Sequence, residues 1–174
     1  MTLILCVVAA AVVLFLVLQR QAPQGIYRKF GLKPGEWELL SSDLGKGHAR
    51  SRIGAYGVAG EPDALFRGAR TGQVVVGEFK NRRYRGFVRR REFYQVILYV
   101  GLAREALGAT NVVGILAFND SCVEIAHDEQ LFRALIALRG EVLGSLKRRS
   151  PINDRPLHKR MSVTPRNRKV RFLT

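Results

Sequence analysis

The sequence predicts an α/β domain built on a mixed sheet. Three observations carry that expectation. Short apolar or β-branched runs alternate with two long segments of helical period. The resulting order is strand, strand, helix, strand, strand, helix, the pattern of an α/β fold. Hydrophobic residues make up 47% of 174 residues, enough for one compact core with some chain to spare.

The first residues form a separate object. Met1 to Leu18 carries no charged side chain, and the first cation is Arg20. As a helix those residues would rise about 27 Å, close to the roughly 30 Å of a bilayer's hydrocarbon core. A cleaved signal peptide would want a basic start and a small-x-small cleavage site, and the sequence offers neither. A buried core helix would show a polar face somewhere. Residues 1–19 are therefore expected to be one uncleaved transmembrane helix. Arg20, Arg28, Lys29 and Lys33 follow it, so the positive-inside rule keeps the rest in the cytoplasm, on a single-pass inner (cytoplasmic) membrane protein. The lipid bilayer is thus one expected partner.

Residues 20–36, with Pro and Gly at intervals, read as a linker, and residues 37–146 as the folded domain. "EWELLSS" is a short strand and "DLGKGHARSR" a polar loop. "IGAYGVAGEPDALF" fits a bent strand or a pair of short ones. "RGARTGQ" is a turn, and "VVVGEFK" a strand that begins buried and ends exposed. "GFVRRREFYQVILYVGLAREALG" has the strongest helical period, with Gly108 as its stop. "NVVGILAF" and "SCVEIAH" are strands around an Asn119-Asp120 turn. Asp128 caps one further helix whose apolar stripe is Leu131, Leu135, Leu138, Val142 and Leu146. Residues 147–174 hold ten Lys and Arg, one acid and three prolines, and read as a basic, extended or partly disordered tail suited to nucleic acid or anionic lipid.

Charge and cysteine usage narrow the function. The formal net charge of +15 asks for an anionic partner, nucleic acid or a membrane face. Two cysteines, Cys6 and Cys122, exclude a disulfide framework, a four-thiolate zinc site and an iron–sulfur cluster with four cysteine ligands.

Within this frame the sequence places "PD" at Pro62-Asp63 and "EFK" at Glu78 to Lys80. On a strand Glu78 and Lys80 share one face and Phe79 takes the other. If the two strands pair around "RGARTGQ", Asp63 and Glu78 become cross-strand neighbours. Two adjacent carboxylates repel, and a hard cation such as Mg²⁺ relieves that repulsion. The backbone carbonyl of Phe79 would be a further ligand. A metal there lowers the pKa of a water and neutralises a scissile phosphate, and Lys80 would orient the water or hold developing charge. Next comes "KNRRYRGFVRRRE". Arg82, Arg83, Arg85, Arg89, Arg90 and Arg91 surround Tyr84 and Phe87, a composition that suits phosphates and stacked bases.

"PD", fifteen residues, then "EFK" after a hydrophobic strand, followed by Gln95 and Tyr99 as Q-x-x-x-Y on a helix, resembles the PD-(D/E)XK nuclease signature in its RecB-like branch. That branch includes the CRISPR-associated RecB-like exonucleases. The likeness runs from about Trp37 to Leu146. It implies a restriction-endonuclease-like core and a DNA substrate, single- or double-stranded. It implies one or two Mg²⁺ or Mn²⁺ ions on Asp63 and Glu78, and a catalytic Lys80. Gln95 and Tyr99 would face the site and place Lys80 or the DNA strand. Relatives often carry an upstream metal-binding His, and His48 is the one such residue here. The iron–sulfur cysteines of some relatives are missing. Two rival readings stand beside the nuclease: an inactive nuclease fold tethering DNA at the membrane, and a basic membrane-surface adaptor.

Overall fold

A computed structural model describes residues 24–44 and 51–173. Residues 1–19, the expected anchor, and His48 lie outside the described residues. No helix among the described residues is long and apolar enough to cross a membrane.

The architecture is α/β. A helical turn over 24–29 (α1) leads into β1 (Trp37–Ser42), β2 (Ile53–Ala55), β3 (Val58–Gly60), β4 (Ala64–Gly68) and β5 (Val74–Lys80). Then follow α2 (Arg90–Leu107), β6 (Val112–Phe118), β7 (Cys122–Ala126), α3 (Glu129–Ala137) and α4 (Arg139–Arg148). Five strands form one sheet in the order β1-β4-β5-β6-β7. β5 and β6 run parallel and every other pair is antiparallel. A parallel pair needs a crossover, and α2 supplies it.

β5 is the central strand, and its period of two divides the core. Val74 and Val76 pack toward α2 with Val96, Val100 and Phe93, while Val75 joins Phe30 and Phe66 on the opposite face. Close approach is bought with glycine at two places. A Cβ on Gly114 of β6 would lie 2.2 Å from Val96 Cγ1, and one on Gly77 of β5 would lie 2.5 Å from the Phe30 ring. A methyl group at either would push helix from sheet.

The segment "IGAYGVAGEPDALF" resolves into a separate β2–β3 hairpin followed by β4 of the main sheet. Tyr56 and Gly57 both have positive φ, 55° and 70°, the backbone of a two-residue hairpin turn whose twist matches its strands.

Four expectations are corrected. Residues 24–36 are more than a linker: Ile26, Tyr27 and Phe30 are buried and form the core of the second sheet face. Spacing of Pro and Gly gave no hint of this, because three apolar residues in one helical turn are too few to show a period. The second correction is the start of α2, which begins at Arg90 rather than near Phe87. Val88 is drawn instead into a β-bridge with Phe172. At its other end Gly108 closes α2 in the left-handed region, φ 59°, as expected.

Third, the last helix is two. Asp128 caps α3 by accepting from the Leu131 N–H at 3.0 Å, but the chain bends at Leu138 and restarts as α4. Leu131 and Leu135 are buried, whereas Val142 is 51% and Leu146 68% exposed. Helical period reports that a helix forms; it does not say whether a neighbour is there to cover its stripe.

Fourth, the basic tail is folded onto the domain. Asn167 is buried, accepting from Ala126 N and donating to Ala126 O at 3.0 Å each, so its amide extends the β7 edge. Thr164 N–H donates to Asp128 Oδ2 at 2.9 Å. Phe172 meets Phe93 edge-on at 5.0 Å and Val170 is buried.

Phe30 separates a core segment from a linker. Phe30→Ala is expected to lower unfolding free energy by about 3–5 kcal/mol. The exposed Leu146→Ala is expected to change it by no more than about 0.5 kcal/mol. Urea denaturation of both variants checks this, and a near-neutral Phe30→Ala would return 24–36 to the status of a linker.

Candidate active site

The site lies where β4 leaves β5. Their ladder ends at Ala64 opposite Gly77, and Asp63 is the residue just before β4; carried one step further, that register would set it across from Glu78. Pro62 comes just before it and donates no ladder hydrogen bond. Asp63 is nevertheless fixed in place. Its carbonyl accepts from Asp43 N at 3.1 Å and from Ser42 Oγ at 3.0 Å, and its Oδ2 accepts from Phe79 N at 2.6 Å. The side chain thus takes over the hydrogen bond that β4 would have made. The N–H and C=O of one strand residue project to the same side, so the Phe79 carbonyl faces Asp63 as well.

Glu78 and Lys80 point to the α2 face, as the strand period requires. Lys80 Nζ lies 2.7 Å from Glu78 Oε1 and 3.2 Å from Gln95 Oε1. Gln95 Nε2 in turn donates to Tyr99 Oη at 3.2 Å. Gln95 and Tyr99 are one helical turn apart on α2, so both reach the same strand end. The Tyr99 ring rests on Gly60 of β3, where a Cβ would fall 2.2 Å from Cε1. Asp63, Glu78, Lys80, Gln95 and Tyr99 are therefore all brought to the C-terminal end of β5.

Glu78 is 5% exposed, and its Oε2 has no hydrogen-bond partner. A buried carboxylate oxygen without a donor is costly. Burial holds Glu78 above the usual carboxylate range; the Lys80 hydrogen bond opposes this and the charge of Asp63 adds to it. Burial also raises Asp63. The Phe79 N–H, Lys80 and Lys29 pull it down, and Asp43 pushes it up. Two carboxylates, both strained toward protonation and one with a bare oxygen, suit a hard divalent cation. No three His, Cys, Asp or Glu side chains gather around a metal position among the described residues. The protein shell would be Asp63, Glu78 and the Phe79 carbonyl. That fits Mg²⁺, which takes one or two carboxylates and keeps several waters.

A cleft of about 390 Å³ opens beside Lys80 and Gln95, with Arg89 and Arg91 on its wall. The arginines predicted to bind phosphate divide here. Arg89 lines the cleft. Arg82 lines it too, but Arg82 Nη2 is paired with buried Glu92 at 2.7 Å and its guanidinium lies over Phe118 at 4.6 Å. Arg83 and Arg85 are exposed in the following loop. Arg90 stacks on Phe172 at 4.8 Å and does not line the cleft. Tyr84 leans on Phe118 at 5.1 Å.

Two participants escape sequence reasoning. Arg91 does not, since the basic run names it, although a run does not say which of its members line a cleft. Glu92 accepts from Arg89 N at 3.2 Å as well as from Arg82, which caps α2 and fixes the cleft wall. Its position three residues after the N-cap is the signal that marks it. Lys29 sits over the Phe79 ring at 4.5 Å on the opposite face of β5. With Arg28 it borders a second groove of about 540 Å³ that shares Phe79 with the first. Reading α1 as linker hides it.

Comparison with protein-family models finds no match, and comparison with curated proteins finds none. A solved structure described as "Crystal structure of SSO0001" superposes with a TM-score of 0.39 at 17% identity. The match covers 79% of this chain and 62% of that one, so this chain spans less than two thirds of its length. A superposition at that level carries no functional argument.

The carboxylates make stability depend on pH. Raised folded values mean the folded state holds protons that the unfolded chain has released. Their favourable contribution is complete below the ordinary carboxylate pKa and is lost as pH rises through the raised values. Without divalent metal, thermal stability is expected to fall as pH rises above the ordinary carboxylate range. Glu78→Gln should flatten that fall, and added Mg²⁺ should raise the midpoint most at the higher pH. Melting curves across that window test it; an unchanged slope in Glu78→Gln would remove Glu78 as the origin.

Proposed function

We propose that the chain is a metal-dependent nuclease of the PD-(D/E)XK type, RecB-like, with a restriction-endonuclease-like core. It would hydrolyse phosphodiester bonds of DNA at the cytoplasmic face of a membrane, with residues 1–19 as its anchor. The observation that carries this reading is the continuous chain of contacts at the end of β5. Asp63 bonds the Phe79 amide, Glu78 bonds Lys80, Lys80 bonds Gln95 and Gln95 bonds Tyr99. A buried carboxylate with one oxygen unpaired, set against a lysine that a helix residue holds, is what a site for a cation and a phosphate needs.

Asp63, Glu78 and the Phe79 carbonyl would hold Mg²⁺ or Mn²⁺. Bound there, the ion supplies charge neutralisation at the phosphate under attack. The chain's own residues do the rest. Lys80 keeps one ammonium beside the carboxylates, with Gln95 fixing its direction, so that it can hold an attacking water or a phosphate oxygen. Tyr99 holds Gln95, and Gly60 makes room for the Tyr99 ring. Arg89 and Arg91 take neighbouring phosphates along the cleft.

Chemistry and affinity separate in the test. Lys80→Ala and Asp63→Ala are expected to cut end-labelled DNA at least about 10²-fold more slowly while binding it nearly as well. Gln95→Ala, acting through Lys80, should lose about 10–100-fold. Replacing Arg89 and Arg91 by Ala should weaken binding and reduce its salt dependence instead. Cleavage assays with Mg²⁺, Mn²⁺ or EDTA beside salt-titrated binding decide it. Normal cutting by Lys80→Ala would overturn the site. Salt-sensitive binding with no cutting in either metal would replace the enzyme by a DNA tether.

A further inference from the structure

We infer that α4 is a membrane-contacting helix whose apolar side seats at the headgroup boundary of an anionic bilayer. This is independent of the nuclease reading. Among the described residues seven large hydrophobic side chains are strongly exposed, and four of them, Val142, Leu143, Leu146 and Ile152, belong to α4 and the return after it. Val142, Leu143 and Leu146 share one side of the helix: positions 142 and 146, and 143 and 146, are one helical turn apart. Ile152 covers the other side. Ile152 folds back on the helix, its N–H donating to Ser145 Oγ at 3.1 Å and its side chain lying over Gly144. α3 ends at Leu138, and α4 beyond it has no buried residue.

The charges around the patch select the occupant. Lys147, Arg148 and Arg149 follow Leu146 directly and are exposed. The single acid of the helix, Glu141, is matched by Arg160. The outward side is therefore apolar and cationic, the composition of a helix that lies in the interface of an anionic membrane. A phosphate backbone would reward the cations but gains nothing from the three exposed aliphatic side chains of that side. A symmetric pair of copies would cover the aliphatic side chains but bring no surplus of acid to the three cations, because the helix's one acid is already paired. An anionic bilayer satisfies both parts of the surface at once.

The test uses the full chain with Cys6→Ser and Cys122→Ser, and an environment-sensitive fluorophore on Leu146→Cys. A control carries it on Arg70→Cys, an exposed site in the β4–β5 turn. Each is reconstituted with phosphatidylcholine alone or with added phosphatidylserine, with nitroxide-bearing lipid as quencher. The label at 146 is expected to be quenched severalfold more than the label at 70. The excess should shrink without phosphatidylserine, at high salt, and in K147E/R148E/R149E. Equal quenching at the two positions would overturn the proposal. So would protection of position 146 from an aqueous quencher in detergent without lipid: dependence on protein concentration would assign the patch to a second copy, and independence to residues 1–23 of the same chain. Protection by added DNA and not by lipid would assign it to nucleic acid.

Discussion

One hydrogen bond organises the site. Asp63 Oδ2 accepts from the Phe79 amide at 2.6 Å where the β4–β5 ladder stops. It lets two strands diverge without stranding a backbone donor, which would otherwise be a buried loss. The divergence sets Asp63 beside Glu78, and the tight hold on Asp63 keeps it there against charge repulsion. Lys80 then offsets part of the negative charge, and Gln95 and Tyr99 anchor Lys80 to α2. The crossover helix that the parallel β5–β6 pair demands is thus also the element that supports the lysine.

The surrounding cations act at two levels. Arg82 is a wall: its pairing with Glu92 and its stacking on Phe118 tie the end of β5 to the start of α2 and the end of β6. Arg89 and Arg91 line the cleft beside it. Losing Arg82 would therefore disturb geometry as well as field. Phe172 plays a similar part behind the helix start, where it bridges Val88 and stacks under Arg90. The tail, basic throughout its sequence, contributes to the fold through its few apolar residues and one asparagine.

Much of this was legible in the sequence, and for a physical reason. The strand period placed Glu78 and Lys80 on one face, and helical spacing placed Gln95 and Tyr99 on one face of their helix; that the two faces meet was implied by the resemblance alone. The turn suggested Asp63 and Glu78 as cross-strand neighbours; the ladder runs in the expected antiparallel sense and stops one residue short of them, at Ala64 and Gly77. The α/β order and mixed sheet followed from the same periodicities. What stayed hidden depends on neighbours that no period encodes. Residues 24–30 are too short to show an amphipathic face. The stripe from Leu131 to Leu146 is continuous in sequence, yet the bend at Leu138 divides it into a buried half and an exposed one. Asn167 saturates a strand edge from forty-one residues away.

Gly60 has no chemistry of its own, yet the Tyr99 ring occupies the space where its side chain would be. The small β2–β3 hairpin is thus a gauge for the working end of β5. Its distance from α2 is set by the absence of one carbon atom. Divergence along a lineage could alter the cleft's arginines one at a time and retune its ligand gradually. Position 60 offers less room: even alanine would displace a ring two hydrogen bonds removed from the lysine, so a residue outside the cluster constrains it through a missing side chain.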